Sequence, residues 1–310
     1  MTNTRNAETL AAAAEAGSVD SAAVQQDVQG RSLWFDAWRR LKANKAALTA
    51  TAILGLITFL VLFGPWLSQF NFDFTDWDHV SEGPSWSTGH YFGTDAVGRD
   101  LFVRTLEGGR ISLLIGVVAT IVSLVIGISW GAIAGYVGGR VDNVMMRIVD
   151  ILYAMPFMFF VILLMVFFGR NILLIFIAIG AINWLDMARI VRGQTISLKR
   201  REFIEAAVAC GVSSRRIIFR HIVPNLLGVV VVYVTLTIPQ VILVESFLSF
   251  LGLGVQEPFT SWGALVNEGA QEMQSAVWML IFPAIFLALT LFCFNFIGDG
   301  LRDALDPKDR

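Results

Sequence analysis

Catalytic and metal sites are often built from histidine and cysteine. This chain of 310 residues has three histidines and two cysteines. Cys210 and Cys293 lie far apart, without the spacing of a disulfide framework, a metal site or a redox motif. His79 and His90 are eleven residues apart in an acidic stretch and show no tight ligand pattern. We therefore expect neither a metal nor a cofactor on this chain.

Motifs for nucleotide chemistry and for zinc-dependent hydrolysis are absent from the sequence. There is no Gly-Lys dipeptide, so the chain cannot contain the Gly-x4-Gly-Lys-Ser/Thr loop that cradles ATP phosphates. There is also no His-Glu-x-x-His, and no histidine falls in any of the membrane spans predicted below. The sequence thus predicts a non-catalytic protein, and any ATP hydrolysis coupled to it must occur on another chain.

The elements that position the remaining polar residues are predicted to be membrane helices. The chain is 55% hydrophobic and 15% charged, which is too apolar for an ordinary water-soluble domain. About 20 apolar residues are needed to cross a bilayer core of about 30 Å. We predict an all-α polytopic membrane protein with six transmembrane helices, at residues 46–67, 112–137, 151–168, 172–187, 226–251 and 277–297.

The distribution of Lys and Arg predicts the orientation of these spans, because basic residues are retained in cytoplasmic loops. With the N-terminus inside, nineteen of the 23 basic residues fall in inner segments. The loop 68–111 is acidic and aromatic, and the loop 252–276 has no basic residue, which is typical of external segments. We therefore expect a multi-pass protein of the cell inner membrane with both termini in the cytoplasm.

The composition of the chain predicts further segments outside the membrane spans. Residues 1–30 are Ala-rich and polar, which predicts a disordered cytoplasmic tail. Residues 31–45 place Trp34 and Trp38 beside several cations, which predicts an amphipathic helix at the membrane interface. The first span is followed by an extracytoplasmic loop at 68–111, whose length suits contact with another protein. A core at 112–298 and a cytoplasmic tail at 299–310 complete the division.

The longest internal hydrophilic segment, residues 188–225, predicts a cytoplasmic loop with two short helices. The first helix is expected to stop at Gly211, and the second to begin at Ser213 or Ser214 and end before Pro224. Small residues would leave a shallow surface on which a partner protein could pack, although a basic loop that only fixes topology is the alternative. The residues singled out are Glu205, Ala206, Ala207, Gly211, Arg215, Arg216 and Pro224.

Two of the predicted spans contain residues that are candidates for helix packing or for a path through the membrane. Gly127, Gly131 and Gly135 recur every four residues, so one helix face has no side chains and another backbone can approach it closely. Glu245 lies inside a span, where an ionised group costs about 3 kcal/mol unless it is paired or wet. It either lines a path through the membrane or has a structural role. Pro239 of the same span removes a backbone hydrogen bond and is expected to kink the helix.

The hydrophilic segment resembles the cytoplasmic loop of permease subunits of bacterial ATP-binding-cassette importers. Its Glu205-Ala206-Ala207, Gly211 and Pro224 match the family pattern Glu-Ala-Ala-x3-Gly-x9-Ile-x-Leu-Pro, with His221 and Val223 replacing Ile and Leu. Other segments resemble the C-type subunits of the dipeptide and oligopeptide permease group. They are YFGTDAVGRDLFVR (91–104), GGRISLLIG (108–116), ESFLSFLGLG (245–254), SWG (261–263) and GDGLRDALDPKDR (298–310).

The resemblance implies a type I importer permease (MetI-like) fold and a set of partners. These are a B-type permease subunit, two cytoplasmic ATPase subunits that bind ATP and Mg²⁺, an extracytoplasmic peptide-binding protein and an oligopeptide substrate. Dipeptides or nickel chelates are the alternative cargo. A channel or a secondary transporter is the alternative class, but no selectivity filter, charged ring or repeated halves are evident. Lipid is an expected contact and nucleic acid is not.

The predicted topology places Cys210 on the cytoplasmic side of the membrane. A membrane-impermeant thiol reagent is therefore expected to label Cys210 in inside-out vesicles and to leave it unlabelled in intact cells. A Cys210→Ser chain measured in parallel subtracts the signal of other thiols. Labelling of Cys210 in intact cells would contradict the orientation.

Overall fold

The computed structural model describes residues 33–169 and 172–305, and its regular structure is helical apart from two isolated β-bridges in a long loop. The all-α prediction is therefore confirmed. The predicted tail at 1–30 and residues 306–310 of the predicted C-terminal tail lie outside the described residues. The helices of the described ranges are α1 (Leu33–Ala43), α2 (Lys45–Phe63), α3 (Leu101–Val137), α4 (Gly139–Ala154), α5 (Phe157–Phe168), α6 (Ile172–Lys199), α7 (Glu202–Ala209), α8 (Ser214–Ile217), α9 (Val223–Phe250), α10 (Trp262–Gln271) and α11 (Trp278–Leu305).

Four helical segments in the described ranges are long and apolar enough to cross a membrane. They are Lys45–Leu67, Leu101–Val137, Ser214–Phe250 and Trp278–Leu305. A fifth span results if α4 and part of α5, which are bent by 86° relative to each other, count as one. The fourth predicted span, 172–187, falls in α6, which is 28 residues long but carries charged residues along its second half. A total of six spans therefore stays a prediction.

Helix α3 begins eleven residues before the start of the predicted second span at residue 112. Its N-cap is Asp100, whose carboxylate Oδ1 accepts the backbone N–H of Val103 at 2.8 Å. The first turns contain the charged residue Arg104, which made this part of the sequence look like a loop. Arg104 is nevertheless buried, at 1% exposure. The long loop consequently covers residues 68–100 rather than 68–111.

The centre of the fold is the contact between α3 and α6, which we call the glycine seam. Gly127, Gly131 and Gly135 of α3 all face α6. A Cβ atom added to Gly131 would collide with the backbone oxygen of Ala188, and one added to Gly135 would lie 2.8 Å from the backbone oxygen of Arg192. The two backbones thus approach more closely than any residue with a side chain would allow.

Substitution of glycine by alanine is expected to change the stability of the protein in opposite directions inside and outside the glycine seam. Gly131→Ala is expected to destabilise the protein by about 1–3 kcal/mol, because the new methyl group has no space. Gly55→Ala is the matched control: no described atom lies within 4 Å of a Cβ added there. Alanine in place of glycine inside a helix is otherwise stabilising by about 0.5–1 kcal/mol. Thermal unfolding in detergent checks this, and an equal response of the two variants would contradict it.

Candidate coupling loop

The hydrophilic segment predicted from residue 188 begins within a helix, because α6 continues to Lys199. Ala188, Val191 and Thr195 are at most 1% exposed, and their spacing puts them on one helix face against α3. Polar residues cover the other face. The composition therefore predicted a loop where the structure has an amphipathic extension of the helix.

The turn at Gly211 separates α7 from α8. Gly211 has a φ of +73°, in the left-handed region that favours glycine. Its N–H donates to the Val208 oxygen at 2.9 Å, and the Val212 N–H donates to the Ala207 oxygen at 3.1 Å. This pair of bonds is the Schellman motif, which satisfies the last carbonyl groups of a helix. The helix–glycine–helix order is the one that the sequence predicted.

The predicted end of the second short helix before Pro224 is wrong. The chain is helical from Ser214 to Phe250, with one π-helical turn at Ile218–Ile222. Pro224 lies in the first turn of α9, following that π-helical turn. Pro224 has no N–H for an α-helical bond to residue 220, and the π-helical turn directly before it is where the regular α-helical pattern is interrupted. The loop therefore runs directly into a membrane helix with no break.

Buried isoleucines fix this loop to the rest of the protein. Ile204 of α7 and Ile217 of α8 are each 1% exposed, and they pack in one cluster with Met187 and Val191 of α6. Full burial of such a side chain contributes about 1.5–3 kcal/mol. We call these residues the isoleucine anchor: Ile204, Ile217, Ile218 and Ile222.

The outward side of the loop, which we call the docking face, combines exposed apolar side chains with cations. Phe203, Val208 and Phe219 are 43%, 54% and 51% exposed. Apolar groups gathered on a surface with a polar rim mark interaction sites. Ala207 is half-buried, whereas the other residues of the face are exposed. The other residues are Glu205, Ala206, Cys210, Gly211, Arg215, Arg216, Arg220 and Pro224.

The sequence analysis did not single out Val208 and Phe219 of the docking face. A signal was available for Phe219, which is a bulky apolar residue between Arg216 and Arg220 in a segment expected to lie in water. Val208 follows the small residues that drew attention to α7, and its exposure depends on which face of the helix Ile204 buries.

Polar contacts join the end of α6 to its neighbours. The Arg192 guanidinium donates to both carboxylate oxygens of Asp142 on α4, at 2.5 and 2.7 Å. The Lys199 ammonium donates to the backbone oxygen of Tyr136 on α3, at 2.6 Å. Arg192 and Lys199, which were expected in a solvated loop, thus connect α6 to α4 and α3 just before the docking face.

Glu245 is fully buried in α9 and is surrounded by hydroxyl groups. It accepts from Ser249 Oγ at 2.6 Å and from Ser112 Oγ of α3 at 3.3 Å. Ser112 Oγ in turn accepts the backbone N–H of Trp262 at 3.1 Å. The side chain therefore links α3, α9 and α10, which is the structural role weighed from the sequence. A place in the translocation path stays a prediction for Glu245 and for Pro239, which is buried inside α9.

One sequence pattern of hydrolases occurs in α3. Residues 127–131 read Gly-Ile-Ser-Trp-Gly, which has the spacing of a nucleophile elbow. An elbow requires a sharp turn between a strand and a helix, whereas Ser129 lies in the middle of a continuous helix of 37 residues. The glycines of this pattern belong to the glycine seam, so the pattern is explained by packing.

A charged network fastens the long loop to α3 and α10. The buried Arg104 guanidinium binds Asp95 and also donates to Glu268 at 2.9 and 3.1 Å. Arg99 donates to Asp95 at 2.7 Å and to Glu257 at 2.9 Å. Burial by itself raises the pKa of Asp95, but Arg104 and Arg99 outweigh it and hold that pKa below its ordinary value. The Asp95 carboxylate is therefore ionised at neutral pH.

The comparisons with known proteins establish the class. Residues 127–310 match the family described as binding-protein-dependent transport system inner membrane component. The fold is similar to that in a crystal structure of the inward-facing MetNI methionine ABC transporter, with a TM-score of 0.53 at 19% identity, covering 66% of this chain and 96% of that chain. The chain belongs to the family of binding-protein-dependent transport system inner membrane components.

Within that family, the chain is similar in sequence to permeases of peptide transport systems, as the following matches show. Residues 32–84 match the N-terminal TM domain of oligopeptide transport permease C. The chain is 60% identical to the oligopeptide transport system permease protein OppC of Escherichia coli strain K12, over 100% of both chains. It is 46% identical to the dipeptide transport system permease protein DppC of Bacillus subtilis strain 168, over 89% of this chain and 86% of the relative.

Proposed function

We propose that this chain is one permease subunit of an ATP-binding-cassette importer that carries oligopeptides across the inner membrane. The observation that carries the proposal is the docking face, a surface of exposed apolar side chains and cations packed against the end of α6, in a chain that belongs to this transport family. The high identity over full length to oligopeptide permeases supports the choice of cargo. The chain does no chemistry itself, and its contribution is mechanical.

The docking face is the proposed contact with a cytoplasmic ATPase subunit. Its exposed apolar residues would be covered by that partner, and Arg215, Arg216 and Arg220 would complement acidic groups there. A push on α7 passes through the isoleucine anchor to α6 and α9, since Ile204 and Ile222 pack in the same cluster as Met187 and Leu226. ATP and Mg²⁺ bind to the two ATPase subunits rather than to this chain.

The remaining partners follow from the same assignment. A second, B-type permease subunit completes the path, and an extracytoplasmic peptide-binding protein delivers the cargo at the long loop. Both termini lie in the cytoplasm in this arrangement, as the distribution of Lys and Arg supports. The charged network at Asp95 keeps the long loop in a fixed shape for such a contact.

Charge introduced at the docking face is expected to block transport. In Gly211→Arg the left-handed turn is strained and a bulky cation stands in the proposed contact. We expect peptide uptake to fall at least about ten-fold, the effect of losing about 1.4 kcal/mol of coupling. The ATPase subunits should also no longer copurify with the permease pair. Transport assays and pull-downs at equal membrane levels measure this.

Gln194→Arg is the matched control for that variant. Gln194 is exposed on α6 outside the docking face, so the same charge is added without touching the proposed contact. Uptake should stay near the wild-type level in this control. Normal uptake and normal ATPase association in Gly211→Arg would overturn the coupling role.

The cargo is tested by uptake of labelled di-, tri- and pentapeptides into cells with and without this chain. We expect tri- and pentapeptide uptake to depend on the chain. If only dipeptide uptake depended on it, the assignment to oligopeptides would be wrong while the permease fold and the coupling role would stand.

A further inference from the structure

Three side chains of the long loop, Asp76, His79 and His90, meet at one point, although His90 comes from a different turn from the other two. The Asp76 carboxylate Oδ2 lies 2.9 Å from His79 Nδ1 and 3.5 Å from His90 Nε2. The two imidazole ring centroids are 5.7 Å apart. We call these residues the His-Asp cluster.

The His90 ring is held in one orientation by its other nitrogen. His90 is 1% exposed, and its Nδ1 lies 2.8 Å from Asp100 Oδ2. A carboxylate accepts hydrogen bonds, so Nδ1 carries a proton, and in the neutral imidazole Nε2 is then the nitrogen with the free lone pair. Asp100 is itself fixed as the N-cap of α3, and Phe70 stacks on the His90 ring with centroids 4.2 Å apart.

His90 Nε2 is buried and has no hydrogen-bond partner within residues 33–169 and 172–305. The group that it faces is the Asp76 carboxylate, which is also an acceptor. The lone pair of a neutral His90 and the partly exposed Asp76 carboxylate repel each other at this distance unless a proton or a cation lies between them.

We propose that the His-Asp cluster binds a divalent first-row transition metal ion, with Zn²⁺ the best match. One ligand atom from each of the three residues can be chosen so that all lie within 4.8 Å of one another. Imidazole nitrogens with one carboxylate suit zinc, whereas calcium and magnesium prefer oxygen ligands alone. The Asp100–His90 pair is the carboxylate–histidine arrangement that orients a metal ligand from behind.

The proposed ion would join two parts of the long loop. Asp76 and His79 lie before the turn at Ser81, which has a positive φ of 51°, and His90 lies after it. Three protein ligands leave a fourth tetrahedral position for water or for a donor from another chain. The ion would thus stabilise the shape of the loop, independently of which cargo the transporter carries.

The test uses the assembled transporter, purified through a tag without histidines and stripped of metal with EDTA. ZnCl2 is then titrated, and bound zinc is measured by mass spectrometry after gel filtration. The variants are His79→Gln and Asp76→Asn, whose partly exposed side chains can be replaced with little risk to folding. Asp73→Asn is the control, because it removes an exposed carboxylate of the same loop outside the cluster. Equal elution volumes confirm that all four proteins are assembled.

Wild type and Asp73→Asn are expected to bind one more zinc ion per chain than the two cluster variants, or to bind it at least about ten-fold more tightly. Co²⁺ added in place of zinc should give the visible absorption of a low-coordinate site in the same two proteins only. Equal zinc binding by all four proteins would overturn the proposal. So would the absence of zinc binding to wild type, which would leave the cluster as a hydrogen-bonded group without a metal.

Discussion

The contact between the backbones of α3 and α6 is the constraint on which the other parts of this structure depend. Side chains are absent from one face of α3 at Gly127, Gly131 and Gly135, so α6 lies directly on it. The same contact continues past the expected end of the membrane span, because Ala188, Val191 and Thr195 are buried as well. As a result, α6 continues beyond residue 187, the predicted end of its span, as a helix supported by α3, and the docking face follows its end.

The proposed coupling role requires that the docking face is packed against the membrane helices, and the structure has this packing. The Schellman turn at Gly211 fixes the angle between α7 and α8, and the isoleucine anchor holds both against α6 and α9. From α8 the chain stays helical through Pro224 to the buried Glu245, whose serine contacts reach α3 and α10. Displacement of the docking face must therefore move packed helices rather than bend a connection, as bistable packed elements do in other switching proteins.

Sequence reasoning predicted what depends on local composition and missed what depends on distant partners. Long apolar runs predicted the membrane helices. Gly211, a residue type that commonly ends helices, predicted the turn between the two short helices. Arg104 and the residues after position 188 were assigned to loops because they are polar, although burial against other helices and salt bridges makes both regions helical. The spacing of His79 and His90 showed no metal pattern, because Asp76 completes the cluster only when the long loop folds. The proposed partners come from the family resemblance, because the physical pattern of a single chain does not identify its partners.

If the docking face and α3 move as one body, the distance between them stays nearly constant during transport. Spin labels are placed outside the docking face, on cysteines replacing the exposed Glu202 at the start of α7 and the exposed Val137 at the end of α3, in a chain with Cys210→Ser. Their separation is measured by pulsed electron resonance in the transport-competent complex, without nucleotide and with trapped ATP. We expect the distance to change by less than one helical turn, about 5 Å. A larger change between the two states would show that the loop moves separately from α3.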